Sequence, residues 1–170
     1  MDGTFGPATA KSLIPHRYPI LLVDRVVEVV AGERITTLKA VTCNEPWYQG
    51  IAEEATDDDY SYPTALLIES WCQSAALLGA HGAAQDTEEH DAQDTEAEGV
   101  VLFGGMSDVT VHGRAYPGDV VRHEVTLTQK AAGATFFEGT SSVAGKPLLT
   151  VGQAVTLVRP ASSLEAAPAR

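Results

Sequence analysis

The chain has few of the residues that would form a disulfide, a metal site or a nucleic-acid surface. Its 170 residues include two cysteines, Cys43 and Cys72, with no CxxC pair and no His-Cys spacing. This scarcity argues against a disulfide framework and a zinc site, so both cysteines are expected to be small buried apolar residues. We expect no metal and no cofactor. Lys and Arg total 11 against 23 Asp and Glu, and a chain without a basic patch is not expected to bind nucleic acid.

Long apolar segments are also missing. No run in the sequence reaches the roughly 20 apolar residues that a membrane-spanning helix needs, and no signal peptide is visible. We therefore expect a cytoplasmic protein with no membrane partner. A hydrophobic content of 44% over 170 residues is enough for one core, which predicts a single domain over residues 1–160. The small and polar residues 161–170 are expected to form a disordered tail.

The negative charge is concentrated in two segments that contain no Lys or Arg. Five acids lie in residues 53–59 and seven in residues 86–98, while the remaining 11 acids match the 11 bases. The body of the fold is therefore close to neutral. A polar stretch that lacks aromatic residues is typical of a solvated loop. We expect mobile acidic loops at about residues 51–60 and 85–99.

One apolar segment between these two loops has the features of a buried helix. Residues 63–78 read PTALLIESWCQSAALL, and their apolar side chains cover nearly the whole circumference of a helix. Pro63 suits the first helical turn, and Ser61 is a candidate N-cap. Gly79 and Gly82 offer a stop signal. The segment is too short to span a membrane, so a buried helix is predicted.

Two polar side chains interrupt the apolar surface of this predicted helix. Glu69 and Gln73 stand four positions apart and therefore share one face. An ionised Glu in such surroundings is costly to desolvate unless a partner or a function compensates for that cost. A Glu satisfied by a neighbouring backbone amide would explain the pattern as well as a catalytic carboxyl would.

Strand-like segments lie on both sides of the helix. Two precede it, Ile20–Val30 and Glu33–Cys43, paired through a turn at Ala31–Gly32. Five β-rich segments follow it, separated by glycine and proline signals: 100–103, 108–112, 120–130, 135–143 and 148–158. Strands and helix are segregated along the chain, which indicates an α+β fold with the helix covering one face of an antiparallel sheet.

Several motifs stand in an order that is specific to one family. PHRYPILLVDRV begins at Pro15, NEPWYQG at Asn44 and YPTALLIESWCQ at Tyr62, and FGG and YPGD follow. Over residues 13–160 the chain resembles the 3-hydroxyacyl-acyl carrier protein dehydratases, the FabZ-like branch of the hotdog-fold superfamily. The resemblance implies a curved antiparallel sheet wrapped around a long helix. It also implies dimers whose sites take a His from one subunit and an acid from the other, acting on a 3-hydroxyacyl thioester of acyl carrier protein.

The chain departs from this family at the position of the catalytic base. Where the family has His-Phe-Pro-Gly after its Gln-Gly pair, this chain has Ile51, and the segment up to Tyr60 runs about four residues longer than the family spacing. Thr64 replaces the glycine at the start of the family's helix. Glu69 matches the family's catalytic acid and Gln73 its helper on the next turn. The resemblance therefore implies half of a catalytic site.

The resemblance also implies the remaining site residues. Substrate-binding positions are Thr64, Tyr62, Phe103, Gly104 and Ile51. His112 and Arg114 fall where the family has basic residues that meet the carrier protein. His16 belongs to the PHRYP motif, which family members carry alongside their catalytic His, so a structural role is expected for it. No other His matches the position of the base.

Three hypotheses follow from the missing base. In the favoured one, the chain pairs with a His-bearing homologous dehydratase subunit, and the composite site uses Glu69 in fatty acid or polyketide biosynthesis. In the second, the chain is another hotdog enzyme, a thioesterase or isomerase, whose Glu activates water or moves a proton without the His. In the third, it is a non-catalytic scaffold or acyl-chain binder. The sequence leaves open whether the dimer is homomeric or heteromeric.

Overall fold

The strands and the long helix follow the predicted order, and a short helix that the sequence did not predict precedes them. A computed structural model describes residues 3–89 and 99–160. Two helices lie in its first half: α1 (Pro7–Leu13) and α2 (Thr64–Glu89). The strands are β1 (Arg25–Val30), β2 (Arg34–Ala40), β3 (Gly99–Val111), β4 (Val120–Ala131), β5 (Ala134–Val143) and β6 (Lys146–Pro160). Short 3-10 turns cover Pro46–Tyr48 and Asp57–Tyr60 between β2 and α2.

The six strands form one antiparallel sheet in the order β1-β2-β4-β5-β6-β3. Gly32 adopts a φ of 69° in the β1–β2 turn, a left-handed conformation that glycine tolerates best. Strands β4, β5 and β6 make the predicted meander. Strand β3 returns to pair with β6 at the opposite edge from β1.

Helix α2 packs against β2, β4 and β5, and the sheet curves around it. Trp71, Leu77 and Leu78 on α2 are fully buried against sheet residues such as Val125 and Phe137. This burial of apolar area is the main force that holds the helix on the sheet. The α+β hotdog architecture is confirmed. Among the described residues, no helix is both long and apolar enough to cross a membrane.

Helix α2 continues past the predicted stop. Gly79 and Gly82 lie inside it, and it ends at Glu89. A Cβ at Gly82 would lie 3.6 Å from the backbone nitrogen of Gly32, and one at Gly79 would lie 3.8 Å from the ring of Phe137. Both distances are ordinary van der Waals contacts, so these glycines lie packed against the sheet side of the fold inside the helix and do not end it. The first five residues of the loop predicted at 85–99 are helical; residues 90–98, and the tail predicted at 161–170, lie outside the described residues.

Three further boundaries differ from the predictions. Strand β1 begins at Arg25 rather than Ile20, because residues before it are held by side chains of α2. The segments predicted at 100–103 and 108–112 are one strand, β3, with a bulge between Phe103 and Gly105. Ser61 is not the N-cap of α2: its backbone N–H instead donates to the Asp58 carbonyl and ends a 3-10 turn.

The long connection from β2 to α2 is anchored by a buried ion pair. Lys39 Nζ lies 2.7 Å from Glu45 Oε1, and the two side chains are only 7% and 10% exposed. Further along, the Tyr48 hydroxyl donates to the Tyr60 carbonyl at 2.9 Å. These contacts hold both ends of the segment that contains Ile51.

Candidate active site

Glu69 lies on a partly exposed side of α2. Its side chain is 35% exposed, whereas its neighbour Ser70 is fully buried. One turn further along this side, the Cys72 thiol donates to Met106 Sδ of β3 at 3.9 Å. The Glu69 side chain is therefore partly accessible to solvent, and the residue three positions further along α2 contacts the edge strand β3.

Gln73 fixes the Glu69 carboxyl to the loop that follows α1. The Gln73 side chain is buried, and its Nε2 donates to Glu69 Oε1 at 2.9 Å and to the Ile20 carbonyl at 2.7 Å. Its Oε1 accepts from the backbone N–H of Leu22 at 2.9 Å. Both ends of the amide are thus used, which restricts its rotation. The predicted pairing of Glu69 with Gln73 is present in the structure.

His16 contacts the same carboxyl from the loop after α1. Its Nε2 lies 3.3 Å from Glu69 Oε1, and its Nδ1 is buried without a hydrogen-bond partner among the described residues. Arg17 Nη1 donates to the carbonyls of Ile14 and His16 at 2.8 and 2.7 Å, which fixes the loop. Sequence reasoning assigned His16 a structural role because it belongs to the PHRYP motif, and its contact with Glu69, 53 residues away in the chain, was not predicted.

The two oxygens of the Glu69 carboxyl have different surroundings. Gln73 Nε2 and His16 Nε2 both lie on Oε1. Within residues 3–89 and 99–160, no hydrogen bond or ion pair involves Oε2. The arrangement leaves Oε2 as the atom that can exchange a proton with a bound molecule.

Cys72 is an unsuitable nucleophile in this site. Burial, and secondarily the Glu69 carboxylate, raise the pKa of its thiol to about 12, so it stays protonated at neutral pH. No group of three or more His, Cys, Asp or Glu side chains in the described part of the chain is arranged to hold a metal ion.

A buried polar network lies beneath Glu69, between α2 and the sheet. His123 Nε2 is 2.9 Å from Ser70 Oγ, and His123 Nδ1 is 2.7 Å from Ser141 Oγ. Burial lowers the pKa of His123 to about 3, so its ring is neutral. A neutral His bonded through both nitrogens holds the helix to the sheet, and its burial removes it as a candidate base.

The structure brings only some of the predicted substrate-binding residues close to the helix. Thr64 is the exposed first residue of α2. Tyr62 is buried, and its backbone N–H donates to the Ala115 carbonyl at 2.7 Å. Phe103 is 55% exposed on the edge strand β3, and Gly104 is the residue of its bulge, where a Cβ would lie 3.1 Å from Val155 Cγ1.

The remaining predicted residues lie in other parts of the fold. Ile51 lines an open cavity of ≈ 380 Å³ together with residues of the acidic segment, Ala52, Glu54, Ala55 and Asp59. His112 and Arg114 are exposed after β3, and His112 Nε2 lies 2.8 Å from Thr150 Oγ1. Within the described residues, no hydrogen bond or ion pair joins Ile51 or His112 to Glu69.

The fold and the site define a hotdog-fold protein with an accessible carboxyl on its central helix. A family model described as FabA-like domain matches residues 14–151. The chain belongs to this family. The 3-hydroxyacyl-[acyl-carrier-protein] dehydratase FabZ of Granulibacter bethesdensis is 35% identical over 155 residues, covering 91% of this chain and 83% of the relative. The FabZ of Geobacter metallireducens is 34% identical over 147 residues, covering 86% and 89%.

Solved structures with the same fold are more distant in sequence. The dehydratase heterocomplex ApeI:P from Xenorhabdus doucetiae matches with a TM-score of 0.69 at 18% identity, covering 91% of this chain and 93% of the other. A hot-dog-like protein from Thermanaerovibrio acidaminovorans matches with a TM-score of 0.57 at 16% identity, covering 81% and 88%. At these sequence identities, the two structural similarities show that this chain has the same fold.

Proposed function

We propose that this chain is a subunit of a dehydratase that acts on 3-hydroxyacyl thioesters of acyl carrier protein, in fatty acid or polyketide biosynthesis. Glu69 supplies the acid, and a homologous partner subunit supplies the catalytic His. The observation that carries the proposal is the partly exposed Glu69 carboxyl, held by Gln73 through Oε1, in a chain whose base position is occupied by Ile51. Membership of the FabA-like family and the FabZ relatives support the reaction type.

The proposed elimination needs a base and an acid, which act on two adjacent carbons of the substrate. The base takes a proton from the carbon next to the thioester carbonyl, and the electron pair forms the new double bond. The bond from the next carbon to its hydroxyl then breaks, and Glu69 gives its proton to the departing oxygen, which leaves as water. Backbone N–H groups at the start of α2, near Thr64, stabilise the negative charge that develops on the thioester oxygen.

The partner would join this chain along the edge strand β3. In the described sheet β3 pairs only with β6, and Val101, Phe103 and Val111 expose 59%, 55% and 46% of their surfaces on it. An unpaired strand edge with apolar side chains is a template for another strand. Because Cys72 links the Glu69 side of α2 to Met106 of β3, a subunit paired there would lie close to Glu69. The ApeI:P neighbour is itself a dehydratase heterocomplex.

The carrier protein would dock beside the end of β3. His112 and Arg114 are exposed there, and Arg114 supplies a permanent positive charge. Phe103 and Gly104 of β3, together with Tyr62, would then lie along the path of the acyl chain. Ile51 would border the site from the acidic segment.

Turnover by the isolated chain tests the proposal. The purified protein, assayed with a 3-hydroxyacyl thioester on acyl carrier protein, should dehydrate it about 10²–10⁴-fold more slowly than a mixture with a GHFPG-bearing homologue, because a base of this type contributes that factor. The homologue alone is the control. Dehydration by the isolated chain at the rate of the mixture would contradict the proposal, and release of free carrier thiol would instead identify a thioesterase.

A further inference from the structure

We infer that His16 is a positioning residue for Glu69. The Nε2–H of His16 donates a hydrogen bond to Oε1 of Glu69 and thereby directs the acidic proton of Glu69 to Oε2. The inference rests on the proposed function of Glu69 and identifies the residue of the same chain that positions its carboxyl. His16 Nε2 and Glu69 Oε1 are 3.3 Å apart in the free chain. The pair lacks the alignment of a hydrogen bond in the unliganded site, where catalytic hydrogen bonds are often long or poorly aligned and tighten only when substrate binds.

The surroundings of His16 favour a ring that carries its proton on Nε2 and donates from there. Its Nδ1 is buried with no partner in the described part of the chain. A proton on that atom would create a buried N–H without an acceptor, which costs free energy, whereas a bare ring nitrogen loses less. The neighbouring cation, Arg17, directs its Nη1 to two backbone carbonyls, those of Ile14 and His16. The Arg17 guanidinium is thus used by the loop, and His16 is the side chain of this loop that meets Glu69.

Two donors on one oxygen decide where the carboxyl keeps its proton. Gln73 Nε2 already donates to Oε1 at 2.9 Å, and Gln73 is fixed by Ile20 and Leu22. A second donor from His16 makes Oε1 the acceptor oxygen, so the proton of the neutral acid is left on Oε2. Oε2 has no protein partner among the described residues, so it is the oxygen left to donate to the departing hydroxyl. Without His16, the carboxyl could rotate about its last torsion, which is soft.

Variants that keep or remove the donor separate this role from a structural one. His16→Leu fills the space without a donor, whereas His16→Gln restores an N–H at similar reach. In the reconstituted pair, His16→Leu should lower kcat by about 10²-fold, as expected for a misplaced catalytic group, with KM nearly unchanged. His16→Gln should recover most of the lost rate. His81→Leu, on α2 about three turns beyond Glu69, is the control and should leave kcat unchanged.

A crystal structure of the isolated His16→Leu variant gives a readout that does not depend on turnover. We expect the Glu69 carboxyl to rotate away from Gln73 in this variant and to keep its place in His16→Gln. An unmoved carboxyl in His16→Leu, or equal loss of kcat in the Leu and Gln variants, would overturn the role of His16 as a hydrogen-bond donor to Glu69. If Glu69→Gln leaves turnover intact while His16→Leu moves the carboxyl, the positioning stands and the proposed function fails.

Discussion

The buried His123 should make the stability of the fold depend on pH. Its ring has no exposed surface and bonds to Ser70 and Ser141, and burial lowers its pKa from 6.5 to about 3. Below pH 6.5 this residue binds a proton in the unfolded chain but not in the folded chain. The contribution of His123 to the free energy of unfolding is therefore fully present above pH 6.5 and is lost as the pH falls toward 3.

The size of this loss follows from the two pKa values. At pH 5 the chain is about 1.5 pH units below the pKa of His123 in the unfolded state. Each unit corresponds to 1.36 kcal/mol, so the free energy of unfolding falls by about 2 kcal/mol between pH 7 and pH 5. Arg122 and Glu124 flank His123 but face the other side of β4, with 43% and 53% of their side chains exposed, where solvent screens them.

Urea unfolding of the wild type and of His123→Gln at both pH values isolates this contribution. The variant is expected to be less stable at pH 7, because Gln fits the two serines less well than the ring does. Between pH 7 and pH 5, however, the wild type should lose about 2 kcal/mol more than the variant, since all other titrating groups are common to both. Equal losses in the two proteins would refute the assignment of a neutral, fully buried His123.

Two further perturbations test the connection between β2 and α2. Lys39→Met leaves the Glu45 carboxylate buried without its partner and should lower the free energy of unfolding in urea by about 3–5 kcal/mol. As a control, Arg34→Met breaks an exposed pair with Glu28 and should lower it by less than about 1 kcal/mol. Equal losses would argue against the buried pair. Limited proteolysis of the isolated chain should cut first within residues 51–60, which lie mostly exposed, and first cuts in the β4–β5 hairpin would contradict a mobile acidic segment.

Local sequence signals predicted the elements that depend on local chemistry. The β1–β2 hairpin forms at the predicted turn because Gly32 supplies the left-handed conformation, and the β4–β5–β6 meander follows its glycine-rich turns. The spacing of Glu69 and Gln73 correctly placed both on one face of α2. These features follow from residues close together in the chain.

Features that depend on distant contacts escaped prediction. Gly82 resembles a helix stop but lies against the backbone of Gly32, and a sequence pattern cannot distinguish a stop from a close approach. The loop before β1 lacks strand structure because Gln73, more than 50 residues away, takes its backbone groups at Ile20 and Leu22. His16 lies in the same loop, and its contact with Glu69 likewise joins residues that are distant in the sequence.

Turnover of the reconstituted pair with a single changed carboxyl tests the central claim most directly. Glu69→Gln keeps the shape of the side chain but cannot donate the proton, so dehydration of the 3-hydroxyacyl thioester should fall by about 10²-fold or more. The melting temperature should be unchanged or slightly raised, because a neutral amide is cheaper to bury. The same change in the partner's acid should leave turnover nearly intact. Intact turnover with Glu69→Gln, and loss of turnover when the partner's acid is changed, would show that this chain is a scaffold.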